Sequence, residues 1–584
     1  MDYTIKIGGE AGQGLQTIGG MLGKLFSRSG FHVFTHQDYM SRIRGGHNFY
    51  QVRIADFPIT SSRSALNILI ALNRNTIELH KGELGKDGVI IYDAETIKQK
   101  YEEGNFLDVP FRKISLEKSH TLVMENTVAV GAVLGMLGMK TGLAEKLLAE
   151  TFQKKGQEVI EQNIAALKAG YEHAQKECLN CGFKVPEPAP VPEKLMLIDG
   201  VSALALGALL SGLKFYSAYP MTPSTGILLY LAGKAARHGL VVEQAEDEIA
   251  AINMAIGASF AGVRAATGTS GGGYALMVEG LSLAGMTETP IVIFFGQRPG
   301  PATGFPTRTE QGDLLNACFS SHGEFPRIVF APGTPEEAVY LTNKAFDLTE
   351  KYQVPAFVLF DTYLGDSEWT LPGIDAAKLK YIDYRLKGEA LQNTTGYKRH
   401  AYTETGVTPL AVPGLSKNLV VTDSDEHDEE GHIVEDAETR VKMVEKRLLK
   451  KLPQIAAEIE PPKLYGNHAA EIVLAGWGST FGVMKACVDN LKDRYNITMM
   501  HFSELTPFPL REKFDYVKVL ENAKIAICVE NNATRQFARL LKMETGFNFT
   551  GHINKFDGRP FLLDPFIKEV EERVSALVAL SEGV

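Results

Sequence analysis

Along the first 183 residues, short apolar runs alternate with stretches whose apolar positions recur every three or four residues. Tyr3 to Ile7 reads as a strand, Leu15 to Ser29 as a helix and Phe31 to Phe34 as a second strand, the rhythm of a mostly parallel α/β sheet. The rhythm stops at FKVPEPAPVPEK, Phe183 to Lys194. Its four prolines fit neither a helix interior nor a central strand, so residues 184–194 are expected to form an extended, semi-rigid linker. From Leu195 to about Pro372 the alternation resumes. Strands are expected at Leu213 to Ala218, Val241 to Val242, Arg264 to Thr267, Ile291 to Phe295, Arg327 to Phe330 and Ala356 to Phe360. Helical patterns cover Asp247 to Phe260 and Pro335 to Lys351, which makes this a second, doubly wound domain. Residues 373–470 break the pattern with an acidic run, Asp423 to Glu430, and a charged helical stretch, Glu438 to Lys451, read as a connecting segment with a surface helix. A last α/β unit, residues 471–584, opens with a strand and Gly-rich turn, IVLAGWGST from Ile472, and includes a strand at Ile525 to Val529. The fold class expected is therefore multidomain α/β.

The length of 584 residues agrees with about three or four domains. Hydrophobic residues at 45% and charged residues at 22% are those of an ordinary globular protein rather than a disordered one. A formal net charge of -10 argues against nucleic acid or an anionic membrane as partner. Asn126 to Met139 is uncharged but far short of the ~20 apolar residues that span a bilayer, so a buried segment is expected instead. The start, MDYTIKIGGEAGQG, lacks the basic and apolar regions of a secretory signal, which points to the cytoplasm. Of the five cysteines, Cys178 and Cys181 form a lone Cys-x-x-Cys and Cys318, Cys487 and Cys528 are scattered. They form neither a disulfide framework nor an iron-sulfur ligand set. With His173 the pair supplies three zinc ligands but no fourth, so no metal is expected in this chain.

Five segments carry candidate chemistry. GGEAGQG follows a strand and precedes a helix, and its Gly8, Gly9, Gly12 and Gly14, with Gln13, let backbone N–H groups approach an anion; a tight structural turn is the alternative. The spacing is neither the dinucleotide fingerprint nor a Walker loop. Arg42 and Arg44, before Gly45 and Gly46, offer donors to phosphates or simply a solvated surface. YPMTPST, Tyr219 to Thr225, uses Pro220 and Pro223 to fix the Thr222 hydroxyl, or is merely a rigid turn. In VEQAEDEIAAINMAIGASFAG, Glu248 opens a helix so apolar that its carboxylate is expected to be partly buried, with a raised pKa suited to proton chemistry. TGTSGGGYALM, Thr267 to Met277, is a strand with a glycine turn. The loop QRPGPATGFPTRTEQGD, Gln297 to Asp313, carries Arg298, whose fork suits a carboxylate ligand or a neighbouring acidic side chain.

Taken in order, these segments resemble a 2-oxoacid:ferredoxin oxidoreductase over essentially the whole chain, in the form where the γ domain is fused ahead of the α domains. Tyr-Pro-x-Thr-Pro-Ser is the most specific part of the match. The resemblance implies that residues 1–183 are a γ domain that helps hold coenzyme A, through the Gly8 to Gly14 loop and Arg42. It implies that 195–372 bind the pyrimidine of thiamine diphosphate and that 471–584 are a transketolase C-terminal-like domain. Glu248 matches the glutamate that hydrogen-bonds the aminopyrimidine, with Tyr219 and Pro220 near the cofactor. Thr222 matches the threonine that contacts the 2-oxoacid, and Arg298 the arginine that pairs with its carboxylate. The fused arrangement favours 2-oxoglutarate, converted with CoA to succinyl-CoA and CO2, over pyruvate or a branched-chain 2-oxoacid; a non-oxidative transketolase-type component leaves the N-terminal domain unexplained. Neither the Mg2+-diphosphate motif nor cysteines for a [4Fe-4S] cluster occur, so a separate β subunit is expected to bring both, in an α2β2 enzyme that passes electrons to ferredoxin. Two departures stand out: Gly200, Val201, Ser202 and Ala203 replace the common Gly-Asn-Glu-Ala, and TSGGG replaces TSGPG.

Overall fold

The computed structural model describes every residue except 43–44, 103–104, 179–182, 184, 186–194 and 583–584. Most of the expected proline-rich linker, together with Arg44 and Cys181, falls outside the described residues. Contacts divide the chain into two compact units. One comprises Met1–Ile198, Ser367–Gly373 and Leu562–Phe566; the other comprises Asp199–Asp366, Ile374–Phe561 and Ile567–Val584.

The first unit is built on an eight-stranded sheet in the order Phe106–Asp108, Leu84–Tyr92, Leu66–Ala71, Asp2–Ala11, Gly45–Ala55, His32–Asp38, Glu368–Leu371 and Met196–Asp199. The half from Phe106–Asp108 to Asp2–Ala11 is parallel, as the sequence rhythm predicts. Asp2–Ala11, Gly45–Ala55 and His32–Asp38 are instead antiparallel neighbours. A parallel crossover needs a dozen or more residues, and only residues 39–44 join His32–Asp38 to Gly45–Ala55. The uncharged stretch is a buried helix, Glu125–Met136. It lies backbone to backbone with Gln157–Glu177: a Cβ added at Gly131 would meet the Leu167 carbonyl oxygen at 2.0 Å. No helix among the described residues is long and apolar enough to cross a membrane.

The second unit contains two sheets. The larger has the order Glu504–Thr506, Ile328–Phe330, Pro355–Asp361, Ile291–Gln297, Ala265–Ser270, Phe215–Ala218 and Val241–Gln244. It is parallel apart from the edge strand Glu504–Thr506, which arrives from the C-terminal part of the chain and pairs antiparallel. The smaller sheet has the order Lys463–Gly466, Ile497–Phe502, Ile472–Trp477, Ile525–Glu530 and Gly551–Asn554. One apolar cluster runs through both: Tyr274, Ile293 and Phe357 share it with Trp477, Phe502 and Phe537.

The connecting segment is more interior than its charge suggests. The charged helical stretch is Ala437–Val444, a π-helical turn Glu445–Lys450 and Lys451–Glu458, and it is not wholly a surface helix. Lys446 and Lys451 are each 1% exposed and both bind the carboxylate of Glu288. Within the acidic run, Glu426 pairs with Arg440 and Arg447, and His427 is buried with its ring centroid 4.0 Å from that of His400. Among the described residues no group of three or more His, Cys, Asp or Glu is arranged to hold a metal ion.

Candidate active site

Four adjacent strands of the larger sheet end on one side, and each delivers a segment singled out in the sequence. Phe215–Ala218 leads to Tyr219 and its prolines, Val241–Gln244 to Glu248, Ala265–Ser270 to the glycines 271–273, and Ile291–Gln297 to Arg298. All four run parallel, so these segments gather at the carboxyl ends of the strands, where open α/β sheets bind ligands.

Helix Glu248–Phe260 begins sharply because the Asp247 side chain accepts a hydrogen bond from the Ala250 N–H at 2.7 Å. Small residues behind it, Ala251 and Ala255, are fully buried and let the helix pack tightly on Gly271–Met286; a Cβ at Gly280 would lie 2.8 Å from Ile252. This packing takes the Glu248 side chain to 4% exposure, and its Oε1 has no hydrogen-bond partner among the described residues. The oxygen faces Gly273: a Cβ there would come within 2.3 Å of Glu248 Oε1 and 2.3 Å of Thr269 Oγ1. Burial pushes the Glu248 carboxyl above the usual carboxylate range, the Asp247 charge adds to the shift and a backbone hydrogen bond opposes it. A buried acceptor with no internal donor calls for a donor from outside the chain.

Thr222 and Arg298 meet directly: Arg298 Nη1 donates to the Thr222 carbonyl oxygen at 3.0 Å. The same strand supports both, because Pro223 packs on Gly296, where a Cβ would lie 2.7 Å from the proline ring. Ser224 Oγ donates to the Met221 carbonyl at 2.7 Å and closes the turn, while Pro220 is half-buried and Tyr219 is exposed. Arg298 is half-buried, and burial lowers its pKa against the pull of Asp313.

Asp313 was not singled out in the sequence. Its carboxylate lies against Gly271, 3.0 and 3.1 Å from where a Cβ would stand, and its N–H donates to Gln297 Oε1 at 3.1 Å. Burial and then the Glu310 charge push it up to about 6, with Arg298 opposing. The signal available was an acidic residue just before a short helix, Leu314–Phe319, in a loop otherwise rich in Gly, Pro and Thr. Gln311 was missed as well. It fixes the far end of the Arg298 loop to the smaller sheet, donating from Nε2 to the Trp477 carbonyl at 2.9 Å and from its N–H to the Asn531 carbonyl at 2.7 Å, and accepting from the Asn531 N–H at 2.9 Å. A loop tied at both ends holds Arg298 with less entropy left to lose on binding.

In the first unit, Gly8 and Gly9 lie within strand Asp2–Ala11, where side chains would collide with Thr76 and with Gln13 Oε1. Gly12 and Gly14 adopt φ of 94° and 78°, a region open to glycine, and a Cβ at Gly14 would meet Asn126 at 1.9 Å. Gly12 and Gln13 line a cleft of about 430 Å³ with Asp93, Phe111, Glu125 and Asn126. Its wall is acidic rather than basic. Arg42 is exposed and donates its N–H to the Met40 carbonyl at 2.8 Å.

A sequence profile described as "Pyruvate flavodoxin/ferredoxin oxidoreductase, thiamine diP-bdg" matches residues 206–446, and one described as "Pyruvate ferredoxin/flavodoxin oxidoreductase" matches residues 4–173. A 2-oxoacid:ferredoxin oxidoreductase α subunit from Sulfolobus sp. is 33% identical, covering 97% of each chain. The chain belongs to the 2-oxoacid:ferredoxin oxidoreductase α-subunit family. It is thus a subunit of a multi-subunit oxidoreductase and carries a thiamine-diphosphate-binding domain. The 2-oxoglutarate oxidoreductase subunit KorA of Mycobacterium tuberculosis is 29% identical over 87% of this chain and 82% of its own. The solved 2-oxoglutarate:ferredoxin oxidoreductase of Magnetococcus marinus superposes with a TM-score of 0.89 at 30% identity, covering 98% of this chain and 99% of that one.

Both departures from the commoner 2-oxoacid:ferredoxin oxidoreductase motifs have a physical account. In Gly200–Ala203, a Cβ at Gly200 would meet the Leu364 carbonyl at 2.2 Å, Val201 packs on Gly226 and Gly365, and the Ser202 N–H and hydroxyl both donate to the capping Asp199. The two middle positions are thus used for packing and capping. In TSGGG, Gly271 and Gly273 are hemmed in, but a Cβ at Gly272 finds its nearest atom, the Ala302 carbonyl oxygen, at 3.9 Å. That position lies in the first turn of Gly271–Met286, where proline is tolerated, so glycine and proline are interchangeable there. Gly273→Ala should therefore displace Glu248 and cut turnover at least about tenfold, a 1.4 kcal/mol effect, whereas Gly272→Pro should leave it within about twofold. Equal rates in steady-state assays of the two variants would refute the assigned contact.

Proposed function

We propose that this chain is the α subunit of a 2-oxoglutarate:ferredoxin oxidoreductase, which with a separate β subunit converts 2-oxoglutarate and CoA to succinyl-CoA and CO2 and reduces ferredoxin. The observation that supports the substrate assignment is the likeness in fold, over 98% of this chain, to the Magnetococcus enzyme, described with 2-oxoglutarate, coenzyme A and succinyl-CoA bound. Thiamine diphosphate fits the residues present, because the buried, unpartnered Oε1 of Glu248 is an acceptor awaiting a ring N–H. When bound, the cofactor supplies the nucleophilic carbon that adds to the 2-oxo group and lets CO2 depart.

In this reading Glu248 holds the proton shared with the aminopyrimidine, its raised pKa easing transfer in either direction. Tyr219 and Pro220 border the cofactor. The Thr222 hydroxyl contacts the 2-oxoacid, and the Arg298 guanidinium, fixed through Nη1 to the Thr222 carbonyl, binds its carboxylate. Coenzyme A meets the Gly8 to Gly14 loop. The acidic cleft at Gly12 and Gln13 suits hydroxyl and amide donors, leaving phosphates to Arg42. Mg2+ and a [4Fe-4S] cluster belong to the β subunit, in an α2β2 assembly in the cytoplasm.

CoA-dependent dye reduction by the reconstituted complex tests the proposal across a panel of 2-oxoacids. The highest kcat/KM is expected for 2-oxoglutarate, and a higher value for pyruvate or a branched-chain acid would overturn the substrate assignment. Arg298→Lys keeps the charge but loses the fork, so KM for the 2-oxoacid should rise about tenfold or more. An unchanged KM would remove Arg298 from the carboxylate site.

A further inference from the structure

The smaller sheet of the second unit ends in the edge strand Gly551–Asn554. Beside it lies a cleft of about 350 Å³ lined by Arg535, His552, Asn554, Glu569 and Arg573. That volume falls in the range of small-molecule sites. Nothing in the chemistry of the strand-end site uses these residues.

The cations around this cleft differ from their neighbours. On the same helix, Leu563–Glu582, Glu571 is taken by Arg494 at 2.5 Å and Glu572 by Lys568 at 3.7 Å, and Lys555 binds Asp557 at 2.7 Å. Arg535 and Arg573 have no ion-pair partner among the described residues, although Glu569 stands one helical turn from Arg573. Both guanidinium groups act on one imidazole: burial and then the charges of Arg535 and Arg573 hold His552 down to about 4. The ring is therefore neutral near pH 7, and its Nδ1 is buried without a hydrogen-bond partner among the described residues. Two arginines facing one volume repel each other, and Glu569, the acidic residue in its lining, offsets only one of their two charges.

We propose that this cleft is a binding site for a phosphate group, held between the Arg535 and Arg573 guanidinium groups with His552 and Asn554 at its edge. A tetrahedral phosphate presents a pair of oxygens to each of two forks at once, whereas a carboxylate must share its two oxygens between both, as Glu426 does with Arg440 and Arg447. With Glu569 ionised the wall keeps an excess of one positive charge, which only an anion offsets.

Calorimetric titration of the reconstituted αβ complex, saturated beforehand with thiamine diphosphate and coenzyme A to cover their own phosphate sites, tests this. Inorganic phosphate and a phosphate monoester, glucose 6-phosphate, are titrated separately, with acetate as the carboxylate control. One saturable site per α chain is expected for phosphate, the monoester binding as well if the natural ligand is an esterified phosphate and more weakly if it is the free ion. Arg535→Ala and Arg573→Ala should each weaken binding about tenfold or more, with Arg573→Lys intermediate. Both side chains are exposed, so the variants should keep 2-oxoacid turnover, which reports that they are folded. No saturable phosphate binding at millimolar concentration, or equal affinity in the wild type and both alanine variants, would overturn the proposal.

Discussion

Glu248→Gln is expected to lower CoA-dependent 2-oxoacid oxidation by the reconstituted complex by about a hundred- to ten-thousand-fold, the range over which a positioned acid–base group acts. The substitution is isosteric, so the close approach to Gly273 and Thr269 is kept and the helix cap at Asp247 is untouched. What changes is that a group able to exchange a proton becomes one that cannot. Because burial raises the carboxyl of Glu248, the shift works against folding when the group is ionised. A group with a raised folded pKa stabilises the fold only below its unfolded pKa, and that contribution is lost as pH rises through the folded value. The Gln variant should therefore be no less stable than wild type near pH 7 while losing turnover. Thermal melts and steady-state rates on the same preparation separate the two effects. Turnover within about threefold of wild type in a complex loaded with thiamine diphosphate would remove Glu248 from proton transfer.

The features that could be read from sequence share a property: each is local. The strand Ile291–Gln297 is an apolar run set between Pro290 and Pro299, and parallel strands buried on both faces read that way. Glu248 was legible because an acidic residue opening so apolar a helix has nowhere to go but inward. What stayed hidden depends on partners far along the chain. Glu368–Leu371 reads as the end of the second domain, yet the Val33 N–H donates to Thr370 Oγ1 at 2.9 Å across a separation of 337 residues, within the first unit's sheet. Glu504–Thr506 is three residues long and gains its place only by pairing with Ile328–Phe330. Gln311 lies in a loop with no periodicity, and its bonds go to main-chain groups that no side-chain pattern marks. The lysines of the connecting segment misled for a geometric reason. On an α-helix residues five apart point in different directions, but the wider i→i+5 winding of the π-turn Glu445–Lys450 brings Lys446 and Lys451 to one carboxylate.

That carboxylate is where the largest stability effect is expected. Glu288 is 1% exposed and receives Lys446, Lys451 and, at 3.0 Å, His400 Nδ1, while its carbonyl accepts from Arg399 Nη2 at 2.7 Å. Burial by itself would push the Glu288 carboxyl up, but the two ammonium groups and His400 hold it well below 4.5. Lys446, by contrast, is brought down to about 7, because burial and the nearby Lys451 outweigh the attraction of Glu288. Glu288→Gln removes the charge that faces both buried lysines, so each must give up its proton or stay as an uncompensated buried cation. Breaking one partner of a buried ion pair costs about 3–5 kcal/mol, which lowers an apparent melting temperature by about 10 °C. The connecting segment should loosen first, so limited proteolysis should cut within residues 373–470 before the sheets unfold. Replacing the whole cluster, Glu288→Leu with Lys446→Met and Lys451→Met, should recover most of the loss, because neither ammonium then remains to be compensated and Arg399 keeps its bonds to Gln353 and to the Thr287 and residue-288 carbonyls. The pH dependence has a fixed sign. A depressed carboxyl stabilises the fold above its unfolded pKa, and that contribution disappears as pH falls through the folded value. Wild type should therefore lose stability on acidification below about pH 4.5 more steeply than the Gln variant, which keeps only the slope of the other depressed carboxyls, such as Asp2, Glu337 and Glu426. A Gln variant that melts with wild type and keeps the same acid slope would show that the cluster carries no net weight in the fold.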